Sequence, residues 1–204
     1  RLCPVTDLKG QVQDVTAALQ WIFDHIHQYV GDSEQISVTG DSAGAQLAFL
    51  VCAASANEAY RRSYEITSLS KPIKALGLTC PVSCLHEMAK SQDEMTREWM
   101  QVLYGGEPEQ SSLWNCSDYA DILTDCKELP SIYILTTKGD QKYYRQSLAL
   151  HDLMNRKQIE HVYREWESME NKDLGHVFNV LYPACQDSRA ANQEMVYFFL
   201  NVRR

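Results

Sequence analysis

The order of apolar segments predicts an α/β fold, built on a mostly parallel sheet with helices on both faces. Short runs typical of strands alternate with longer segments whose apolar residues recur every three or four positions, as on one face of a helix. Strands that alternate with helices pair in parallel, because each helix returns the chain to the start of the next strand. The length of 204 residues and the 45% hydrophobic content suit one domain with a sizeable core.

Each predicted element follows from a local pattern. Helices are expected where apolar residues have helical spacing or where alanine and leucine dominate, and strands where β-branched and aromatic residues run between turn signals. The predicted order is a helix over 10–29, a strand at 36–38, a helix over 43–56, a strand over 73–79, a helix over 86–104, a strand over 131–137, a helix over 143–156, a strand over 160–166 and a helix over 189–202. Within a single domain spanning 1–204, residues 83–128 are predicted to form a cap-like insertion, whose aromatic side chains serve either core packing or a substrate pocket.

Composition narrows the classes of partner. A net charge of −8, with basic residues scattered along the chain, argues against a nucleic-acid surface and favours small molecules or proteins as partners. No apolar run reaches the roughly 18 residues of a membrane span, so we expect none. Seven cysteines at irregular spacings indicate a reduced, cytoplasmic protein, and the nearest pair, Cys80 and Cys84, is expected to be free or buried thiols rather than a zinc site. No cluster implies a metal or an organic cofactor, and homo-oligomer formation is left open.

The segment 40–44, Gly-Asp-Ser-Ala-Gly, joins a predicted strand to a predicted helix. A sharp turn at this junction would project the hydroxyl of Ser42, and the small residues Gly40 and Gly44 would let strand and helix approach each other. The backbone N–H of Ala43 would then lie at a helix start, where it can face a developing oxyanion. We therefore predict Ser42 as a catalytic nucleophile and Ala43 as an oxyanion donor. The alternative is a helix-capping serine in an ordinary loop.

Two further residues complete a candidate catalytic set. In an open parallel sheet, functional groups collect beyond the carboxyl ends of the strands; Asp140 and His176 follow two predicted strands, as Ser42 does. A serine needs a base to remove its proton, and a carboxylate can orient that imidazole. The order Ser, Asp, His along the chain favours Asp140 as the acid and His176 as the base. Asp140 could instead cap the next helix, Asp173 is the rival acid, and His176 could be an incidental surface histidine.

The sequence Gly-Asp-Ser-Ala-Gly-Ala at 40–45, with Arg-Leu-Cys-Pro at 1–4 and Gly-His-Val-Phe at 175–178, resembles the hormone-sensitive-lipase-like and related esterase branch of the α/β-hydrolase fold. The similarity covers essentially the whole chain. It implies a carboxylesterase that works through an acyl-enzyme, with Ser42 as nucleophile, His176 as general base and then acid, and Asp140 as orienting acid. Ala43 would give one oxyanion donor.

The sequence departs from that family at its start. The family carries a His-Gly-Gly-Gly type loop, which supplies further oxyanion donors, before the segment where this sequence begins, and its early strands are also missing here. We expect these residues to be the C-terminal portion of a longer hydrolase, with the N-terminal part of the same hydrolase completing the fold. Two alternatives stay open: a peptidase or amidase using the same triad, and a catalytically silent binding protein with this fold.

Overall fold

The structure is a computed structural model that describes residues 1–126, 128–170 and 173–202. Its four strands are β1 (Val38–Asp41), β2 (Ala75–Thr79), β3 (Ser131–Thr136) and β4 (His161–Glu165). Its helices are α1 (Leu8–His25), α2 (Ala43–Ala56), α3 (Glu58–Tyr64), α4 (Leu85–Ala89), α5 (Glu94–Tyr104), α6 (Tyr119–Asp125), α7 (Tyr144–Arg156), α8 (Phe178–Leu181) and α9 (Gln186–Asn201). Short 3₁₀ turns connect several of them. The predicted α/β class, with helices between parallel strands, is confirmed.

The strands form one sheet in the order β1-β2-β3-β4, and all three neighbouring pairs are parallel. The register aligns Val38 with Leu76, and Leu76 with Ile132. Strand β2 is buried along its whole length and β3 beyond its first residue, whereas β1 and β4 are only partly covered. This difference explains why β2 and β3 read as continuous apolar runs in the sequence.

By its internal contacts the chain divides into two compact units. The first comprises Arg1–Glu34, Leu50–Pro72 and Ser83–Leu129, and the second comprises Gln35–Phe49, Ile73–Val82 and Pro130–Arg204. The sheet belongs to the second unit, while segment 83–129 is grouped with α1 and α3 in the first. The single domain over 1–204 and the cap-like role of 83–128 stay predictions.

The second unit has a core of aromatic and aliphatic side chains between the sheet and α9. Its buried members are Tyr133, Leu135, Trp166, Phe178, Ala191 and Met195. Gly77 in β2 is needed for this packing, because a Cβ there would lie 2.7 Å from the sulfur of Met195 and 2.7 Å from the ring of Phe199. Helix α9 therefore packs directly against one face of the sheet.

The first unit is all helical in the part that the structure describes, apart from its turns. Its helices are tied by polar contacts of buried tyrosines: Tyr64 donates to the carbonyl of Cys116 at 2.9 Å, and Tyr60 donates to Asp125 at 3.0 Å. Burying an aromatic ring while its hydroxyl keeps a partner stabilises such packing. Of the aromatic residues in segment 83–128, Tyr119 lies in this core, since only 1% of its surface is exposed.

Some element boundaries differ from the sequence prediction. The helix predicted over 86–104 is wrong as a single element, because Asp93 begins a new helix by accepting the N–H of Thr96 at 3.0 Å. Helix α1 starts two residues earlier than predicted and ends at His25, where a 3₁₀ turn continues to Tyr29. Helices α3 and α6 were not predicted, although Asn57 and Asp118 cap their first turns. No helix in the described ranges is both long and apolar enough to cross a bilayer.

Candidate active site

Ser42 occupies the sharp turn between the end of β1 and the start of α2. Its φ of 52° lies in the left-handed region, which side-chain-bearing residues rarely adopt. The turn is held by backbone hydrogen bonds: the N–H of Ser42 donates to the carbonyl of Thr79 at 2.9 Å, and its own carbonyl accepts from Val82 at 3.3 Å. A strained residue held in this way by the neighbouring strand is a feature of functional turns.

The two glycines that flank Ser42 have different roles. A Cβ on Gly40 would lie 2.3 Å from the carbonyl oxygen of Gly44, so strand and helix approach too closely for any side chain at Gly40. A Cβ on Gly44 would meet no atom within 4 Å among the described residues. The expectation that both glycines supply clearance is therefore right for Gly40 and wrong for Gly44. Gly40 packs against the backbone of Gly44, whereas a side chain at Gly44 would point into open space.

Ala43 is the first residue of α2 and is exposed. The first N–H groups of a helix have no partner within the helix and carry the positive end of its dipole. In the described ranges, no hydrogen-bond acceptor pairs with the N–H of Ala43. That N–H is thus available to an oxygen that approaches the hydroxyl of Ser42.

Asp140 lies in the turn after β3 and is fully buried. Its Oδ1 accepts backbone N–H groups from Lys142 at 3.2 Å and Tyr143 at 3.0 Å, just before α7. Its Oδ2 lies 2.9 Å from Nδ1 of His176. The capping alternative and the contact with His176 are therefore both present, one on each carboxylate oxygen.

His176 lies in the loop before α8 with 30% of its side chain exposed. Because Asp140 accepts from Nδ1, the ring presents Nε2 as the free proton acceptor in its neutral form. The ring of Tyr143 packs beside it, with centroids 5.0 Å apart. One ring edge is thus held by a carboxylate, and the opposite edge carries Nε2.

Gly139 lets the His176 loop come close to Asp140. A Cβ on Gly139 would lie 2.1 Å from the carbonyl oxygen of Leu174 and 2.5 Å from a carboxylate oxygen of Asp173. The rival acid Asp173 therefore lies beside Gly139, while it is Asp140 that contacts the ring of His176.

The structure joins two of the three predicted residues directly. Asp140 and His176 are hydrogen bonded, whereas within the described residues no hydrogen bond links the hydroxyl of Ser42 to His176. Ser42 lies at the same carboxyl edge of the sheet, since it follows β1 as Asp140 follows β3. Catalytic hydrogen bonds are often long before substrate binds, so the triad of these three residues stays a prediction.

Cys80 is the free, buried thiol that the sequence predicts, but sequence reasoning missed that it follows β2 at this same edge. Its sulfur, a carboxylate oxygen of Asp140 and a ring nitrogen of His176 all lie within 4.8 Å of one another. Cys80 (φ 44°) and Val177 (φ 47°) share the left-handed backbone conformation of Ser42. The other described non-glycine residues in this conformation all follow the ends of helices: Val30, Glu65 and Gln158. Applying the strand-end rule to β2 would have found this residue.

The same three groups lie close enough to share a metal ion but are poorly suited to one. Burial, the largest cause, raises the pKa of the Cys80 thiol to about 12, so the thiol is protonated near neutral pH. A cation bound by both Asp140 and His176 would also have to displace the proton of the hydrogen bond between Nδ1 and Oδ2. The arrangement is better suited to holding a proton than a metal ion.

The fold, the strained serine turn and the paired carboxylate and imidazole define the class of protein. The chain belongs to the α/β-hydrolase fold family, which it matches over residues 1–179. No curated protein matches the sequence.

Solved structures agree with that class. Esterase B from Lactobacillus rhamnosis is 26% identical, with a TM-score of 0.89 over 99% of this chain and 64% of its own. The same esterase inhibited with a C4-C4 tributyrin phosphonate is 27% identical, with a TM-score of 0.89 over 99% of this chain and 63% of its own. The carboxylesterase Cest-2923 from Lactobacillus plantarum WCFS1 shares the fold, at 14% identity and a TM-score of 0.68, over 91% of this chain and 66% of its own. The resemblance to esterases of this fold is confirmed, and the chain spans about 64% of the length of esterase B.

Proposed function

We propose that this chain carries the catalytic residues of a serine hydrolase that cleaves small carboxyl esters through an acyl-enzyme. The observation that carries the proposal is the 2.9 Å contact between Asp140 Oδ2 and His176 Nδ1. A buried carboxylate that accepts from the imidazole stabilises the cation which forms when the ring takes a proton. The strained turn of Ser42 at the same sheet edge supplies the group that would lose that proton.

The reaction then has two halves. His176 Nε2 takes the proton of Ser42 as its oxygen attacks the ester carbonyl, and the imidazolium returns that proton to the departing alcohol. Water next attacks the acyl carbon as His176 takes its proton, and the imidazolium returns that proton to the oxygen of Ser42 as the acid leaves. Throughout, Asp140 keeps the ring in one tautomer because Oδ2 accepts from Nδ1, and the carboxylate stays in place because Oδ1 is held by the backbone before α7.

The oxyanion site needs more than one donor. The N–H of Ala43, at the start of α2, is the donor that this chain offers. Each lost oxyanion donor raises a barrier by about 2.7 to 4 kcal/mol. We propose that the further donors come from an N-terminal part of the same hydrolase, since esterase B is longer than the matched region.

The substrate class follows from chemistry and from the relatives. Esterase B has been captured with a tributyrin phosphonate, an analogue of an ester with four-carbon acyl groups. We propose a neutral ester with a short acyl chain as the substrate here, since the chain carries a net charge of −8 and would repel anionic esters. Cytoplasmic location stays a prediction, and homo-oligomer formation stays open.

The test is ester hydrolysis by the full-length parent protein. We expect turnover of p-nitrophenyl acetate and butyrate that falls by at least about three orders of magnitude in Ser42→Ala and in His176→Ala. The control is Ser55→Ala, a serine in the last turn of the same helix whose hydroxyl donates to the carbonyl of Val51, and it should retain activity. A fluorophosphonate probe should label the parent but not Ser42→Ala.

Each alternative predicts a different result. A peptidase or amidase would turn over peptide amides and p-nitroanilides well above the uncatalysed rate, and this activity would be lost in Ser42→Ala, whereas an esterase would cleave only the esters. A catalytically silent binding protein would show neither turnover nor labelling although it is folded. Full activity in Ser42→Ala would refute the proposal.

A further inference from the structure

Cys80 has an unusual backbone for a buried side chain. It directly follows β2, its φ is 44°, and none of its surface is exposed. Its N–H still donates to the carbonyl of Leu135 at 2.8 Å, so the backbone is held in the sheet while the strained φ sets the direction of the side chain. Non-glycine residues in this conformation cost free energy and persist where the surroundings hold them.

The thiol of Cys80 lies against the acid of the candidate triad. Its sulfur is within 4.8 Å of a carboxylate oxygen of Asp140 and of a ring nitrogen of His176. Asp140 already uses Oδ1 for two backbone N–H groups and Oδ2 for the imidazole. The Cys80 thiol is itself hydrogen bonded to this carboxylate, and it therefore fills the place from which water or a stronger donor could otherwise reach Asp140.

A thiol is well suited to that position. The group is neutral near pH 7, because burial above all raises the pKa of the Cys80 thiol to about 12. A thiol is a weak hydrogen-bond donor, whereas a hydroxyl or water in its place would donate strongly to the carboxylate. A strong donor stabilises the carboxylate charge and so weakens the attraction between that charge and a protonated imidazole.

We propose that Cys80 is a positioning residue whose thiol keeps water and strong donors away from Asp140. The full negative charge of the carboxylate then attracts the protonated ring of His176. The proposal rests on the proposed function, in which His176 is the base. Its measurable consequence is that the pKa of His176 is higher with a thiol at Cys80 than with a hydroxyl.

The test compares Cys80→Ser with Cys52→Ser in the full-length parent. Cys52 is a matched control, since it is 3% exposed and burial also raises the pKa of its thiol to about 12, but no carboxylate contributes to that shift. Two readouts are needed: the pH profile of kcat/KM on p-nitrophenyl acetate, and an NMR titration of the His176 ring in a Ser42→Ala background.

We expect Cys80→Ser to move the acidic limb of the profile, and the NMR midpoint of His176, to lower pH by about half a unit or more. Cys52→Ser should leave both midpoints where they are in the parent, whatever it does to thermal stability. Cys80→Ala, which opens space for a water molecule, should shift the midpoints in the same direction, and it serves if the serine variant does not fold.

The proposal is overturned if folded Cys80→Ser or Cys80→Ala titrates as the parent does, or if Cys52→Ser shifts His176 equally. The NMR titration needs no turnover, so it reports on Cys80 even where the esterase assay fails. Activity that survives in Ser42→Ala, by contrast, removes the proposed function and leaves the NMR result to decide whether Cys80 sets the pKa of His176.

Discussion

Nδ1 of His176 lies 2.9 Å from Oδ2 of Asp140, while Oδ1 of the same carboxylate accepts two backbone N–H groups ahead of α7. One fully buried side chain thus fixes the start of a helix and the orientation of an imidazole. A carboxylate with both oxygens committed cannot rotate without losing hydrogen bonds in a buried site. The ring of His176 therefore meets a rigid partner.

Replacing Asp140 with asparagine should disturb the orientation of the His176 ring while the size and shape of the side chain at position 140 stay nearly the same. Asp140→Asn keeps an oxygen for the backbone N–H groups but turns an amide N–H toward His176, which favours the wrong tautomer of the ring. We expect kcat for p-nitrophenyl acetate to fall by about three to four orders of magnitude. The control is Asp173→Asn, at the exposed rival acid, where the activity should be close to that of the parent. A larger loss in Asp173→Asn would assign the acid role to Asp173.

The two glycines of the serine turn should respond differently to alanine. Gly40→Ala places a methyl group 2.3 Å from a backbone oxygen, so we expect the free energy of unfolding to fall by about 1 to 3 kcal/mol or more. Gly44→Ala meets open space in a helix and should be neutral or stabilising by up to about 1 kcal/mol. Urea unfolding of both variants measures the difference, and equal losses would contradict this account of the turn.

A pair of histidines should make stability depend on pH. Nδ1 of His151 lies 2.8 Å from Nε2 of His161, and the His151 ring stacks on Tyr163 with centroids 4.1 Å apart. Burial, followed by repulsion from His161, lowers the pKa of His151, an effect that Asp152 partly offsets. The unfolded chain therefore binds this proton more readily, so stability should decrease as pH falls below about 6.5.

His151→Gln removes that proton site and should flatten the dependence of the melting temperature on pH between about 7 and 5.5. His161→Gln removes the repelling partner and should flatten it as well. A slope unchanged in both variants would mean that other groups carry the pH dependence.

Asp187 should anchor the segment between β4 and α9. This buried carboxylate accepts from the indole N–H of Trp166 at 3.0 Å, the hydroxyl of Ser168 at 3.0 Å and the backbone N–H of Met169 at 2.8 Å. Asp187→Ala leaves these donors without an acceptor. We expect the free energy of unfolding to fall by about 1 to 3 kcal/mol for each donor that stays buried. Asp187→Asn keeps one acceptor oxygen and should lose less in chemical denaturation. An alanine variant as stable as the parent would contradict the anchoring role.

Much of the local structure was predictable from local patterns. The helix predicted over 43–56 has those bounds as α2, and β2, β3 and β4 lie within two residues of their predicted limits, whereas β1 begins two residues later and ends three residues later than the predicted 36–38. The strained turn at Ser42 was recognisable because glycine, serine and alanine occur between a strand pattern and a helix pattern. The apolar spacing alone was misleading at Asp93, because the side chain of this residue caps a new helix, α5, within the single helix that the spacing predicts.

The relations between distant residues were decided by the tertiary structure. Asp140 and His176 are 36 positions apart, and they meet because parallel pairing of β3 with β4 brings the segments after both strands to one edge. Cys80 joins them from β2 through a backbone conformation that no local pattern indicates. The sequence by itself determined the strands, the longer helices other than the one over 86–104, and the chemistry expected at the strand ends, since periodicity and turn residues act on near neighbours. Sheet register and close packing at Gly40 and Gly139 decided which side chains touch, because those contacts depend on distances between strands rather than along the chain.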